Sequence, residues 1–184
     1  GMDDFLADGN QGYFIIADAA VSGDAGYDTL KPSNIAVINT DNDSAGFTLG
    51  QVSGDTTEAG GTANFTLRLN SQQFSNVTVD LSSSNTGEGV ATPASLTFTA
   101  QNWNADQTVT VTGSDDFVAD GNQNYSIITQ PAVSGDLAYD GLNPLDVSLV
   151  NIDNDSSGFT VGAINGDTTE AGATATFTVR LNSQ

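Results

Sequence analysis

The chain of 184 residues carries 23 Asp and Glu against 3 Lys and Arg, with no His and no Cys, for a formal charge of −20. That balance excludes a nucleic-acid or anionic-membrane surface, because no cationic patch is present to displace phosphate counterions or meet lipid headgroups. It also argues against zinc and copper, which favour imidazole and thiolate, and makes calcium, which takes oxygen ligands, the natural partner of clustered carboxylates.

Taken in chain order, the elements are strands throughout. Residues 1–45 correspond, at an offset of 112, to 113–157 and are expected to be the last two strands of a preceding repeat. A short strand is predicted near 47–49. Over 62–69, Ala63, Phe65, Leu67 and Leu69 alternate with Thr62, Asn64, Thr66 and Arg68, the period of a half-buried strand. Further strands are predicted over 76–81, 95–99, 108–112, 124–129 and 147–152, rich in the Val, Thr and Phe that suit a pleated surface. Gly, Asn, Asp and Pro fill the gaps, as turns require. Trp103 lies beside the fourth of these strands and is expected to plug one end of the core. Seven short alternating strands in about a hundred residues predict an all-β, immunoglobulin-like seven-stranded antiparallel β-sandwich of Greek-key type.

The 112-residue offset is itself the strongest signal. Asp3-Asp4-Phe5 returns as Asp115-Asp116-Phe117, Asp41-Asn42-Asp43 as Asp153-Asn154-Asp155, and Glu58-Ala59-Gly60 as Glu170-Ala171-Gly172; about two thirds of the overlapping positions are identical. Fixed-period self-similarity marks a repeat array. The chain is therefore divided into the end of one repeat (1–45), one complete repeat (46–157) and the start of the next (158–184). An isolated two-stranded hairpin is marginal in water, so incomplete flanks of neighbouring molecules are expected to meet and partly rebuild a sandwich. No apolar run is long enough to span a bilayer and no basic-then-apolar leader opens the chain, so an export signal is expected in a longer protein.

Strand parity places functional residues. In a seven-stranded antiparallel sandwich, the connections after the first, third and fifth strands and the end of the seventh share one pole. Glu58, Glu88, Asp115, Asp116, Asp120, Asp153 and Asp155 fall there, and the offset assigns Asp3, Asp4, Asp8, Asp41 and Asp43 to the preceding repeat and Glu170 to the following one. Like charges gathered at one end are costly without a cation, and calcium seeks roughly six to eight oxygens. Carbonyls near Val118 and the amides of Asn122 and Asn154 are candidates to complete the shell. At the other pole, Asp136 and Asp140 have two readings: turns around Gly135 and Gly141, or ligands for an ion at the junction with the preceding repeat. Two familiar calcium motifs fail. Asp153-Asn154-Asp155-Ser156-Ser157-Gly158 opens like an EF-hand loop, but Ile164 stands where the bidentate Glu belongs, and the glycine-rich β-roll nonapeptide is absent.

These segments resemble the Calx-beta family, domains of sodium–calcium exchangers and large bacterial surface proteins. The resemblance rests on Glu58-Ala59-Gly60-Gly61 leading into Ala63-Asn64-Phe65-Thr66-Leu67, on Leu96-Thr97-Phe98 and Val109-Thr110-Val111, on Asp115-Asp116 and Asp120 before Tyr125-Ser126-Ile127, and on Ile152-Asp153-Asn154-Asp155. It implies calcium at one pole, held by Glu58, Asp115, Asp116, Asp120, Asp153 and Asp155. The family's Gly-Thr-Ala and Asp-Tyr segment after the third strand is replaced by Ser83–Glu88, with Glu88 in the place of the lost aspartate.

The expected function is a non-catalytic calcium-binding extender repeat of a secreted or cell-surface protein, with neighbouring repeats as partners and the ion stiffening the junctions. The alternative is an adhesive module that binds glycan or protein, for which Trp103, Tyr125 and Tyr139 supply aromatic surface. An enzyme is disfavoured: paired carboxylates serve glycosidases, but no His or Cys offers acid–base or nucleophilic chemistry near neutrality.

Overall fold

The computed structural model describes residues 1–184. The chain has fourteen strands and no helix: β1 (Gln11–Ile15), β2 (Ile35–Asn39), β3 (Phe47–Leu49), β4 (Thr56–Thr57), β5 (Thr62–Leu69), β6 (Val77–Ser83) and β7 (Gly89–Thr92), followed by β8 (Ser95–Phe98), β9 (Gln107–Gly113), β10 (Gln123–Thr129), β11 (Val133–Ser134), β12 (Val147–Ile152), β13 (Phe159–Val161) and β14 (Val179–Leu181). No helix is therefore long and apolar enough to cross a membrane.

Residues 46–157 build two sheets. One runs β3-β5-β9-β7, all antiparallel; the other runs β11-β6-β10-β12-β4, with β8 also paired to β6. Alternation decides which residues face inward. Ala63, Phe65, Leu67 and Leu69 of β5 are buried, as are Val109 and Val111 of β9. From the other sheet they meet Val77 and Val79 of β6, Leu96 and Phe98 of β8, Tyr125 and Ile127 of β10, and Val147 and Leu149 of β12. The result is a β-sandwich around a single core of 17 buried apolar residues, all lying between Ala63 and Leu149. Phe47 closes one edge by ring-edge contacts to Phe98 at 6.4 Å and Tyr139 at 6.0 Å. The buried Tyr139 hydroxyl donates to the Ser71 carbonyl at 2.7 Å and accepts from its N–H at 3.0 Å. Trp103 packs against the core as expected, and its carbonyl accepts from Leu69 N–H at 2.9 Å.

The flanks repeat this pattern in part. β1 pairs β2 with Gln11 opposite Asn39, the register of β10 on β12, where Gln123 faces Asn151. β13 pairs β14 with Phe159 opposite Leu181, the register of β3 on β5, where Phe47 faces Leu69.

The seven predicted strands are present, with ends shifted by one or two residues, but the sheets hold three more. β4 pairs parallel with the end of β12, Asn151 opposite Thr56 and Ile152 opposite Thr57. It is only two residues long, too short for any alternation to register. β7 is a short strand at the edge of the β3-β5-β9-β7 sheet, with Val90 exposed, and it lies against β9 because Gly89 lets the Tyr125 hydroxyl and the Thr112 carbonyl approach where a Cβ would stand. β11 adds two residues beside β6. The first predicted strand and its connection are thus shared between the two sheets, β3 on one and β4 on the other.

Candidate metal centre

The parallel contact of β4 with β12 builds the acidic pole. Thr56 is fully buried, its hydroxyl 2.8 Å from the Tyr125 hydroxyl and 3.1 Å from the Asn151 side-chain oxygen. Glu58 N–H then donates to the Ile152 carbonyl at 3.1 Å, which brings the Glu58 turn against the Asp153–Asp155 turn. Gly113 permits this crowding, since a Cβ there would overlap the Thr57 carbonyl and the Asn151 amide. Glu58 is only 2 % exposed, and its Oε2 accepts from Asn154 N–H at 3.0 Å.

The turn Asp153-Asn154-Asp155 is organised by its own backbone. Asp153 Oδ1 accepts from Asp155 N–H at 2.7 Å and Oδ2 from Gly121 N–H at 2.7 Å, tying it to the loop between β9 and β10. In that loop Asp116 Oδ1 accepts from Val118 N–H at 2.7 Å, and Asn154 Nδ2 donates to Asp115 Oδ1 at 3.2 Å. Oxygens of Glu58, Asp153 and Asp155 come within 4.8 Å of one another. No basic side chain joins them: the chain's one ion pair is Arg68 with Asp106 at 3.7 Å. Asp155 Oδ2 is buried with no hydrogen-bond partner.

Electrostatics follow from this geometry. Burial, then the charges of Asp153 and Asp116, push the Glu58 carboxyl above its ordinary range, against the Asn154 N–H that opposes the shift. Asp155 is likewise pushed up by burial and by Asp153, Asp115 and Asp116. Asp153 is held low by the Asp155 and Gly121 N–H groups. Three converging acids, two with raised carboxyls and one with an orphaned oxygen, suit a hard divalent cation with oxygen ligands.

Residues 1–45 show the turn part of this arrangement, without a counterpart of Glu58. Asp3, Asp4, Asp8, Asp41 and Asp43 line one pocket. Asp41 accepts from Gly9 N–H at 2.7 Å and Asp43 N–H at 2.8 Å, matching Asp153. Backbone donors lower Asp41, whereas burial and then Asp3, Asp41 and Asp4 raise Asp43, the same split as between Asp153 and Asp155.

The predicted set therefore divides. Glu58, Asp153 and Asp155 form the centre; Asp115 and Asp116 stand close enough to act on its charge. Asp120 is exposed at the rim, its N–H bonded to the Val118 carbonyl at 2.9 Å. Glu88 is not gathered with them. It is buried, and its Oε2 accepts from Asn151 Nδ2 at 3.3 Å, so it belongs to the polar network beneath the pole. Glu170, the counterpart of Glu58, is exposed and joins no cluster of converging acids. Asn122 and Asn154 hold the turn: Asn122 accepts from Asp153 N–H at 3.1 Å, and Asn154 donates to Asp115. At the opposite pole the turn reading holds. Asp136 accepts from Phe74 N–H at 2.8 Å and Ala138 N–H at 2.9 Å, and Asp140 from Ser134 N–H at 3.1 Å.

The buried triad of Thr56, Tyr125 and Asn151 that supports the pole is not among the residues expected from the sequence. A signal was present: Asn151 continues the inward parity of Val147 and Leu149, and a polar residue at such a position needs partners. Asn151 Nδ2 finds a second one in the Ser114 carbonyl at 2.9 Å.

No protein-family model matches the chain, and no curated protein matches it. Among solved structures the chain is similar to a surface layer protein, SbsC domains 1–6, at 12 % identity and a TM-score of 0.35; the match covers 95 % of this chain and 28 % of that one.

Proposed function

We propose that the chain is a piece of a tandem array of Calx-beta-like, immunoglobulin-like Greek-key sandwiches, divided at 1–45, 46–157 and 158–184, and that it serves as a non-catalytic calcium-binding extender of a secreted or cell-surface protein. The observation that carries the reading is the buried Glu58 held within 4.8 Å of Asp153 and Asp155, with no basic partner and with Asp155 Oδ2 unpartnered. Glu58, Asp153 and Asp155 would hold the ion, with Asp115 and Asp116 adding charge. When bound, the ion would supply the positive charge that offsets the repulsion among these carboxylates. It thereby ties the start of the repeat to its last turn, beside the link to the next repeat. Extracellular modules of this kind work at dissociation constants of about 10⁻⁴ to 10⁻³ M, which fits a protein outside the cell.

The test is thermal unfolding in EDTA and in millimolar calcium, for the wild type and Glu58→Gln. A ligand bound only by the folded state raises stability with concentration. Calcium should raise the melting temperature of the wild type and should do so far less in the variant. Identical melting curves in calcium and EDTA would overturn the assignment.

A further inference from the structure

We infer that each repeat grips the next through the loop that carries Phe5 and Phe117, an aromatic and backbone latch whose occupant is another copy of the same repeat. The contact occurs twice, 112 residues apart. At the first junction the Phe5 carbonyl accepts from Gln72 N–H at 2.6 Å, and Leu6 forms a parallel bridge with Gln72. At the second, the Phe117 carbonyl accepts from Gln184 N–H at 2.6 Å. Phe5 and Phe117 are counterparts, as are Gln72 and Gln184, so the same backbone hydrogen bond recurs at both junctions.

The first junction shows what the side chain does. The Phe5 ring lies 5.7 Å from the Trp103 ring at 44°, a tilted aromatic contact. A cleft lined by Phe5 on one side and Thr48, Arg68, Asn70 and Trp103 on the other runs along the contact. Trp103 in turn packs on the core of its own repeat and fixes the end of β5 through its carbonyl. The latch therefore ends on a half-buried side chain tied to the core of its own repeat. Phe117 has no such ring against it, and the two rings differ little in exposure, 65 % against 58 % for Phe5; the repeating backbone contact assigns the face of Phe117 to a tryptophan in the place of Trp103 on the repeat that carries Gln184. The latch rests on the repeat reading of the chain and needs no cation, although Asp115 and Asp116 stand at the base of the same loop.

Trp103 is the only tryptophan, so its fluorescence reports the joint directly. In the full 184-residue chain, Phe5→Ala should move the emission to longer wavelength and steepen acrylamide quenching. Phe5→Leu, which keeps an apolar contact, should fall between Phe5→Ala and wild type. Phe117→Ala should leave Trp103 unchanged. With residues 73–184 appended once more, a second tryptophan stands beyond Phe117, and Phe117→Ala should then reproduce the Phe5→Ala change. Unaltered emission and quenching in Phe5→Ala would overturn the latch, as would an equal response to Phe117→Ala in the 184-residue chain. Each measurement is made in calcium and in EDTA: a Phe5→Ala response in both, with no calcium effect on melting, leaves the latch standing while the metal reading falls.

Discussion

Residues 46–157 and the segments on either side share about two thirds of their corresponding residues at the 112-residue offset and bury them very differently. Ile127 is fully buried, whereas its counterpart Ile15 is 52 % exposed; Leu69 is 1 % exposed and Leu181 63 %. Each flank keeps the strand pairing and even the register of the complete repeat. What it lacks is the opposing sheet. Alternation specifies which face of a strand is apolar, but burial comes only when a second apolar face lies across from it. The acidic turns differ in the other direction. Asp41 accepts from the Gly9 and Asp43 N–H groups as Asp153 does from those of Gly121 and Asp155, so the local turn forms without the sandwich, and only Glu58 depends on it.

The largest contrast should appear in the core. Ile127→Ala should cost about 2–5 kcal/mol in chemical denaturation of the complete repeat, and Ile15→Ala well under 1 kcal/mol by roughly the same principle, since little cavity forms at an exposed site. If the two substitutions cost the same, the flank has found a partner in solution. That outcome connects to the expected pairing of incomplete flanks: Tyr13, Ile15 and Ile35 on one side and Phe159, Val179 and Leu181 on the other are counterparts of core residues. Light scattering across a concentration series should show association that Leu181→Ser weakens; a strict monomer at every concentration would exclude the pairing.

A smaller effect separates Asn151 from Asn39. Asn151→Ala removes the donor that serves Glu88 and the Ser114 carbonyl, both enclosed, and should cost about 1–3 kcal/mol. Asn39 donates only to the exposed Met2 carbonyl at 3.0 Å, so Asn39→Ala should stay within about 0.5 kcal/mol.

The smallest is the pH response in EDTA. Glu58 and Asp155 have raised carboxyl values in the fold, so their ionised forms oppose folding above those values, and the opposition disappears on protonation. Asp153 is lowered, so it contributes stability above its ordinary value and loses that contribution as pH falls through the lowered one. Metal-free melting temperature should therefore rise as pH drops from neutral toward the ordinary glutamate value near 4.5, and decline below the ordinary aspartate value near 3.8. Glu58→Gln should flatten the upper limb; a melting temperature that falls steadily from neutral pH would contradict the shifts.

Much of this was legible in the chain. Ala63, Phe65, Leu67 and Leu69 declare a strand and its buried face, because the period of two survives over eight residues. The repetition of Asp153 and Asp155 as Asp41 and Asp43, with Glu58 at the parity-matched pole, declared the centre. Thr56–Thr57 was not legible as a strand, since its pairing is with residues 95 positions away and parallel. Nor was the direction of Glu88, which depends on how the loop before β7 turns its side chain toward Asn151.

The parallel pairing of β4 with β12 has a mechanical consequence. These strands lie near the two ends of the complete repeat, and tension along an array would pull them in opposite directions along their length. The bonds between them would then be loaded together in shear instead of opening one after another like a zipper. The Thr56 contacts and the Glu58 N–H to the Ile152 carbonyl share that load, and a cation bridging Glu58 to Asp153 and Asp155 would cross-link the same two segments. The acidic pole sits where a pulled tether would otherwise give way.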